Sequence, residues 1–147
     1  MSTLVVLDTN ILVSAMMGTG PSHSVLAACL NQKATPLVGS ALLAEYESLL
    51  HRPELERRYL LSPEEREALL DDFLAVCRWQ RVYFTWRPNL PDEADNHVLE
   101  LALAGGANAI VTLNIRDFQR GELRFPYPRI LQPKDWLEEL HNDHINH

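Results

Sequence analysis

The chain has no apolar run approaching the length that spans a bilayer, and its first residues lack the basic-then-apolar order of a signal peptide. No membrane association is expected, and the cytoplasm is the expected compartment. Cysteine is scarce. Cys29 and Cys77 stand far apart in apolar helical contexts, which reads as two buried thiols in a reducing compartment before it reads as a disulfide. No Cys or His set has zinc spacing, no P-loop is present, and no G-x-S-x-G elbow presents a nucleophile. Internal repeats and linkers are also missing. Positive charge is in deficit: 13 Lys and Arg against 20 Asp and Glu give a formal charge of −7, which argues against a surface that coats nucleic acid. A nuclease passes that test, because an acidic metal site would itself supply several of those charges.

What is present fits one α/β domain. A chain of 147 residues is long enough to bury a real core. Leu4-Val5-Val6-Leu7 is apolar without alternation, the pattern of a strand buried on both faces in a helix-covered parallel sheet. It ends in Asp8-Thr9-Asn10, and ligands of open α/β sheets bind past the carboxyl ends of strands. Asp8 therefore reads either as the cap of the next helix or as a group placed for chemistry. Further strands are expected at 35–38, 82–84, 109–112 and 130–131. Helices are expected at 22–30 with Ser22 as cap, at 40–50 with Ser40 as cap, at 54–61, and from Pro63 to Cys77 with Ser62 as cap. Two more run from about residue 92 to Gly105-Gly106 and over 133–140. The arginines between Arg52 and Arg87 are matched by acids and read as solvated, salt-bridged helices. Residues 141–147 carry three histidines spaced by three and read as a frayed, disordered polar tail.

Four acids stand out. Asp8 follows the first strand, and Glu45 borders the apolar face made by Leu42, Leu43, Tyr46, Leu49 and Leu50. Asp95 shares a helical stripe with Val98, Leu99 and Ala102, where a lone charge is costly. Asp117, with Asn114, follows the strand at 109–112. Asp92 and Glu93 need no more than a capping role, and Asn114 and Asp117 also suit a turn. Carboxylates brought together repel and persist only if protonated or neutralised by cations. Oxygen ligands select hard ions, Mg²⁺ or Mn²⁺, and metal-assisted phosphodiester hydrolysis is then the natural reaction class.

The chain resembles the PIN-domain ribonuclease family, and within it the prokaryotic group of toxin components of toxin–antitoxin pairs. The resemblance runs from Leu4 to about Leu140. It rests on Leu-Asp-Thr-Asn-Ile-Leu at 7–12, Gly-Ser with a downstream Glu-Tyr at 39–46, Arg-Pro-Glu-Leu at 52–55 and Leu-Ser-Pro-Glu-Glu at 61–65. Asp-Glu-Ala-Asp-Asn at 92–96, Gly-Ala-Asn-Ala-Ile-Val-Thr at 106–112 and Arg-Asp-Phe at 116–118 complete it. It implies a single domain over residues 1–140 with a central parallel sheet flanked by helices. It also implies cleavage of single-stranded RNA, a homodimer, and a small antitoxin that blocks the groove. By position, Asp8, Glu45, Asp95 and Asp117 match the family's metal-binding catalytic acids. Thr9, Asn10, Ser14 and Thr112 match small polar residues lining such sites. The chain departs from the pattern at Asn114, where relatives often carry an aspartate, so one negative charge is missing there.

Three rivals are weighed against this reading. A haloacid-dehalogenase-type phosphatase needs a second aspartate two residues after the first, where this chain has Asn10. A structure-specific DNA nuclease would share the same acids. A binding module that keeps the fold without cutting would explain Asn114.

Overall fold

The computed structural model describes residues 3–18, 20–82, 93–119 and 127–145, and within these the side chains at 93–96, 117, 119 and 143–145 lie outside the description. In chain order the elements are β1 (Leu4–Leu7), α1 (Thr9–Met17), α2 (Pro21–Leu30), β2 (Thr35–Val38), α3 (Ser40–Leu50) and a 3-10 turn at Pro53–Arg58. Then come α4 (Pro63–Val76), β3 (Arg78–Trp79), α5 (Glu93–Gly105), β4 (Ala109–Val111), α6 (Ile115–Gln119), β5 (Arg129–Leu131) and α7 (Pro133–Ile145). The apolar run of β1 is its centre: Val5, Val6 and Leu7 have no solvent exposure, and burying each side chain contributes about 1.5–3 kcal/mol.

The strands order as β3-β2-β1-β4-β5 with every pairing parallel. The chain builds outward from β1 through β2 to β3, then returns to the other flank of β1 for β4 and β5. Connections leaving β1 and β4 diverge, which opens a crevice past the carboxyl ends of those two strands. Helices cover the sheet: α1 packs on α2 and α3, α2 on α4 and α7, and α5 against β1, β2 and β4. The last approach is close. A Cβ on Gly105 would meet Leu37 Cδ1 at 2.4 Å, so glycine lets α5 seat on β2. Gly106, at φ +69°, then ends the helix in the left-handed conformation that glycine adopts without strain.

Several expectations are corrected. The third strand is Arg78–Trp79, exposed at the sheet edge, not 82–84; Val82 has no strand assignment, and Tyr83 and Phe84 lie outside the described residues. Helix α2 is capped by Gly20 and α3 by Gly39, so Ser22 and Ser40 are helical residues and not caps. Residues 53–58 form a 3-10 turn in place of a longer helix. Helix α7 continues to Ile145, past its expected end at Leu140. The start of α4 is as read: Ser62 and Glu65 form a reciprocal capping box with Pro63 at the first helical position.

Arg66 departs furthest from expectation. Only 1 % exposed, it donates from Nε to Leu50 O at 3.1 Å, from Nη1 to Leu61 O at 2.8 Å, and from Nη2 to Glu56 Oε2 at 2.7 Å. Its guanidinium carbon lies 4.5 Å from the Tyr59 ring centre. It staples the end of α3, the 3-10 turn and α4 together. Cys29 is buried and Cys77 half-buried, both unpaired, and burial pushes each thiol up to about 12, where it stays protonated and inert. No helix among the described residues is long and apolar enough to cross a membrane.

Candidate functional site

The register of β1 on β4 builds the centre of the site. Leu7 pairs with Val111, so the next residues, Asp8 and Thr112, emerge side by side into the crevice. The Asp8 amide donates to Val111 O at 3.0 Å, and Thr112 Oγ1 donates to Asp8 Oδ2 at 2.7 Å. Asp8 also caps α1, its Oδ1 accepting from the Thr9 amide at 2.8 Å. Asn10 Nδ2 donates to Asp8 Oδ2 at 3.1 Å while its Oδ1 accepts from the Leu113 amide at 3.2 Å. Asn10 thereby ties the loop after β1 to the loop after β4. The Asn114 amide donates to Thr112 Oγ1 at 3.0 Å; the Asn114 side chain is exposed.

Glu45 reaches this cluster from α3. The neighbouring Tyr46, 1 % exposed, donates its hydroxyl to Leu7 O at 2.5 Å, locking α3 against the end of β1. The next residue back on the helix is thereby set at the border of the apolar face. There Thr9 Oγ1 donates to Glu45 Oε1 at 3.4 Å. Thr9 thus contacts both acids, with its amide on Asp8 and its hydroxyl on Glu45. On its other oxygen Glu45 pairs with His97 Nε2 of α5. His97 Nδ1 is buried without a partner among the described residues.

The electrostatics are those of an under-compensated acid. Asp8 is 4 % exposed. Burial is the largest influence and raises its pKa; the Thr112 hydroxyl and Thr9 amide oppose it, Glu45 adds to it, and His97 again opposes. The net direction is upward from the ordinary 3.8. The partners hydrogen-bonded to Asp8 are all neutral, and among the described residues no lysine or arginine pairs with Asp8 or Glu45. Two carboxylates bridged by one threonine, one of them buried and disfavoured as an anion, form a donor set that suits a hard cation.

Of the residues singled out in the sequence, the fold brings Asp8, Thr9, Asn10, Glu45 and Thr112 into one hydrogen-bonded cluster, with Asn114 attached through its backbone. Ser14 is not bonded into it. It sits one turn beyond Asn10 and lines a cavity of about 370 Å³ beside the cluster. Asp95 lies on α5 and Asp117 on α6, and the side chains of both lie outside the description. Among the described side chains, no group of three His, Cys, Asp or Glu is placed to hold a metal. His97 escaped the sequence reading. Its signal was faint, a polar residue next to the Asp95-Asn96 pair, and its partner comes from a helix 52 residues away.

A family model described as PIN domain matches residues 4–116. Among solved structures, the fold is similar to a chain of VapBC2 from Rickettsia felis, crystallised bound to a DNA fragment from their promoter. The TM-score is 0.59 at 20 % identity, with 88 % of this chain and 98 % of that chain covered. No curated protein sequence matches.

Proposed function

The chain belongs to the PIN domain family, whose members are nucleases, and we propose on that premise that it is a Mg²⁺- or Mn²⁺-dependent endoribonuclease. Its substrate is single-stranded RNA, and its role is the toxin of a toxin–antitoxin pair. The observation that carries this reading is Asp8: a buried carboxylate at the sheet's switch point, coupled through Thr9 to Glu45 and held, among the described residues, by neutral donors alone.

Asp8 and Glu45 would hold the ion, with Asp95 and Asp117 assigned to it from their places in the family's motif. A bound divalent ion supplies a water of lowered pKa and neutralises charge on the phosphate. The chain's own part is preorganisation. Thr9, Asn10 and Thr112 fix both oxygens of Asp8 before any ion arrives, and His97 restrains Glu45. Asn114 offers a neutral oxygen where relatives often place an acid, which weakens the hold on a second ion. The antitoxin partner and the homodimer rest on the resemblance to the toxin group, and the fold shared with a chain of the VapBC2 assembly supports the partner.

Titration of Mn²⁺ into the full chain, followed by thermal melting, tests the reading. Stabilisation by mass action reaches about 2.7 kcal/mol at 100 times Kd, and Asp8→Asn abolishes it. In parallel, a labelled single-stranded RNA is cut only when the ion is present, and DNA of the same sequence is spared. A folded Asp8→Asn chain that cuts RNA as well as the parent would overturn the assignment.

A further inference from the structure

We propose that the cavity behind His97 is a base pocket that takes a guanine of the RNA strand next to the phosphate being cut, with Glu100 as the residue that reads it. The inference rests on the nuclease reading for its substrate and goes beyond it in naming a base. The cavity, about 210 Å³, lies between the first turn of α3, the residues just past β3 and the middle of α5. His97 is common to it and to the carboxylate cluster, because the ring that lines the cavity pairs through Nε2 with Glu45. On α3, Leu42 lines the space one turn before Glu45, ~5 Å along the helix. Pocket and proposed ion site are neighbours past the carboxyl ends of the strands.

Two atoms carry the inference. His97 Nδ1 and Glu100 Oε1 are shielded from solvent and bond to no group among the described residues. Among those residues they are the only two buried side-chain polar atoms left in this way, and both residues line this one cavity. A buried polar atom without a partner is costly and uncommon in a native fold. Two of them on one space, beside a site built for phosphodiester chemistry, ask for a ligand.

Both atoms accept. A carboxylate has no proton to give, so the pair with Glu45 places one on His97 Nε2 and leaves Nδ1 of the neutral ring with a lone pair. Glu100 Oε1 accepts as well, from a residue one turn further along α5. The ligand must therefore bring two neighbouring N–H donors. Guanine does, with N1–H and the N2 amine side by side on its pairing edge. Adenine and cytosine present one amine beside a ring nitrogen that accepts, and uracil presents one N–H between two carbonyls. The other walls suit a ring: Leu42, Val82 and Leu101 are apolar, and no lysine or arginine lines the space. A guanidinium carries similar donors, but apolar walls favour a heterocycle with two faces to bury. The volume falls below the ~300–1,000 Å³ of sites for drug-sized ligands, room for one base. Single-stranded RNA is read in this manner, by bases splayed into pockets and bonded on their pairing edges.

The experiment uses the full chain. Guanosine 5′-monophosphate is titrated while ¹H–¹⁵N spectra follow the amides of Leu42, Glu100 and Leu101, which should shift saturably. Uridine 5′-monophosphate should leave them in place. Inosine 5′-monophosphate, which lacks the N2 amine, should bind roughly 10-fold more weakly. Glu100→Leu removes the acceptor and keeps the bulk; its melting curve checks folding, and it should lose the preference for guanosine over inosine. With Mn²⁺ and a single-stranded RNA holding one guanine, cuts should fall at a fixed distance from that base. Inosine in its place needs no variant and should lower kcat/KM by about 10-fold or more. Amides that do not move, or that respond equally to guanosine and uridine nucleotides, overturn the pocket. A guanosine preference indifferent to Glu100→Leu overturns the role of Glu100. Cuts that ignore the guanine while its nucleotide binds overturn the place beside the cleaved phosphate. Saturable shifts with arginine amide and none with the nucleotides overturn the base and hand the two acceptors to a basic partner segment. Guanosine-selective binding in a chain that cuts no RNA upholds the pocket while sinking the nuclease reading.

Discussion

Two charged side chains lie buried along α3, and the fold treats them in opposite ways. Arg66, at the helix's C-terminal end, is met by two backbone carbonyls, the Glu56 carboxylate and the face of Tyr59. A cation there also faces the negative end of the helix. Asp8, near the middle of the same helix, receives only neutral donors among the described residues and has a second acid across Thr9. The first charge is compensated by the protein and holds three segments together. The second is positioned by the protein and left under-compensated. Perturbed acids in clefts concentrate at sites of function, and the contrast separates scaffold from site better than burial does, since both residues are buried.

Breaking the Arg66 side should have the largest effect on stability. Arg66→Met keeps much of the volume but strips Leu50 O and Leu61 O of their donor. Leaving a buried polar group unsatisfied costs about 1–3 kcal/mol, so roughly 3 kcal/mol or more is expected in urea unfolding. At about 2–4 °C per kcal/mol for a chain of this size, the melting point falls by roughly 10 °C. Ion-dependent cleavage by the fraction still folded should be unchanged. Loss of activity without loss of stability would erase the distinction between the two charges.

Asp8→Asn should move stability the other way. A carboxyl raised above its unfolded value holds more protons in the native state, so native stability falls as pH rises from the unfolded value through the raised one. The deficit is fully present above both. The variant should match the parent near pH 3.8 and below, melt higher by a widening margin as the pH rises, and then hold a constant lead. Added Mn²⁺ should restore the parent alone. A lead that shrinks with rising pH would mean that Asp8 is already compensated by the protein.

His97 sharpens the comparison within the site. It pairs with Glu45, and on the proposed reading of Glu45 as an ion ligand it acts as a positioning residue, a role that typically carries 10- to 100-fold in ion affinity. His97→Ala should lose about that much in Mn²⁺ affinity by titration calorimetry. His97→Gln, which keeps a neutral donor, should recover part of it. Equal losses in the two variants would assign His97 to packing.

The difference between the two sides also explains what was legible in the sequence. The central strands β1 and β4 show as unbroken apolar runs, and β2 and β5 lie at the shorter apolar stretches that flank them in the sheet. Strand β3 was not legible because Arg78 and Trp79 are both exposed and are held there by pairing to Leu37 and Val38, not by any pattern of their own. Asp8 and Glu45 show as acids at a strand end and on a helix border, which periodicity can see. Arg66 and His97 do not show. Periodicity places arginine and histidine on the solvent side, and only the packing of α4 on α3, and of α5 on α3, supplies the partners that bring them in. Local signals locate groups on an element; they do not carry the contacts between elements.

The smallest predicted effect compares helix starts on the two sides. On the scaffold side, α4 begins with a complete capping box, the Glu65 amide donating to Ser62 Oγ at 3.2 Å and the Ser62 amide to Glu65 Oε1 at 2.9 Å. Ser62→Ala should cost about 1 kcal/mol, a fall of about 2–4 °C in melting point. Restoring bulk without a hydroxyl, as in Ser62→Val, should not recover it. On the site side, Gly20 caps α2 with no side chain to offer its first amides, so the stabilisation that Ser62 gives α4 is not supplied by the cap residue there.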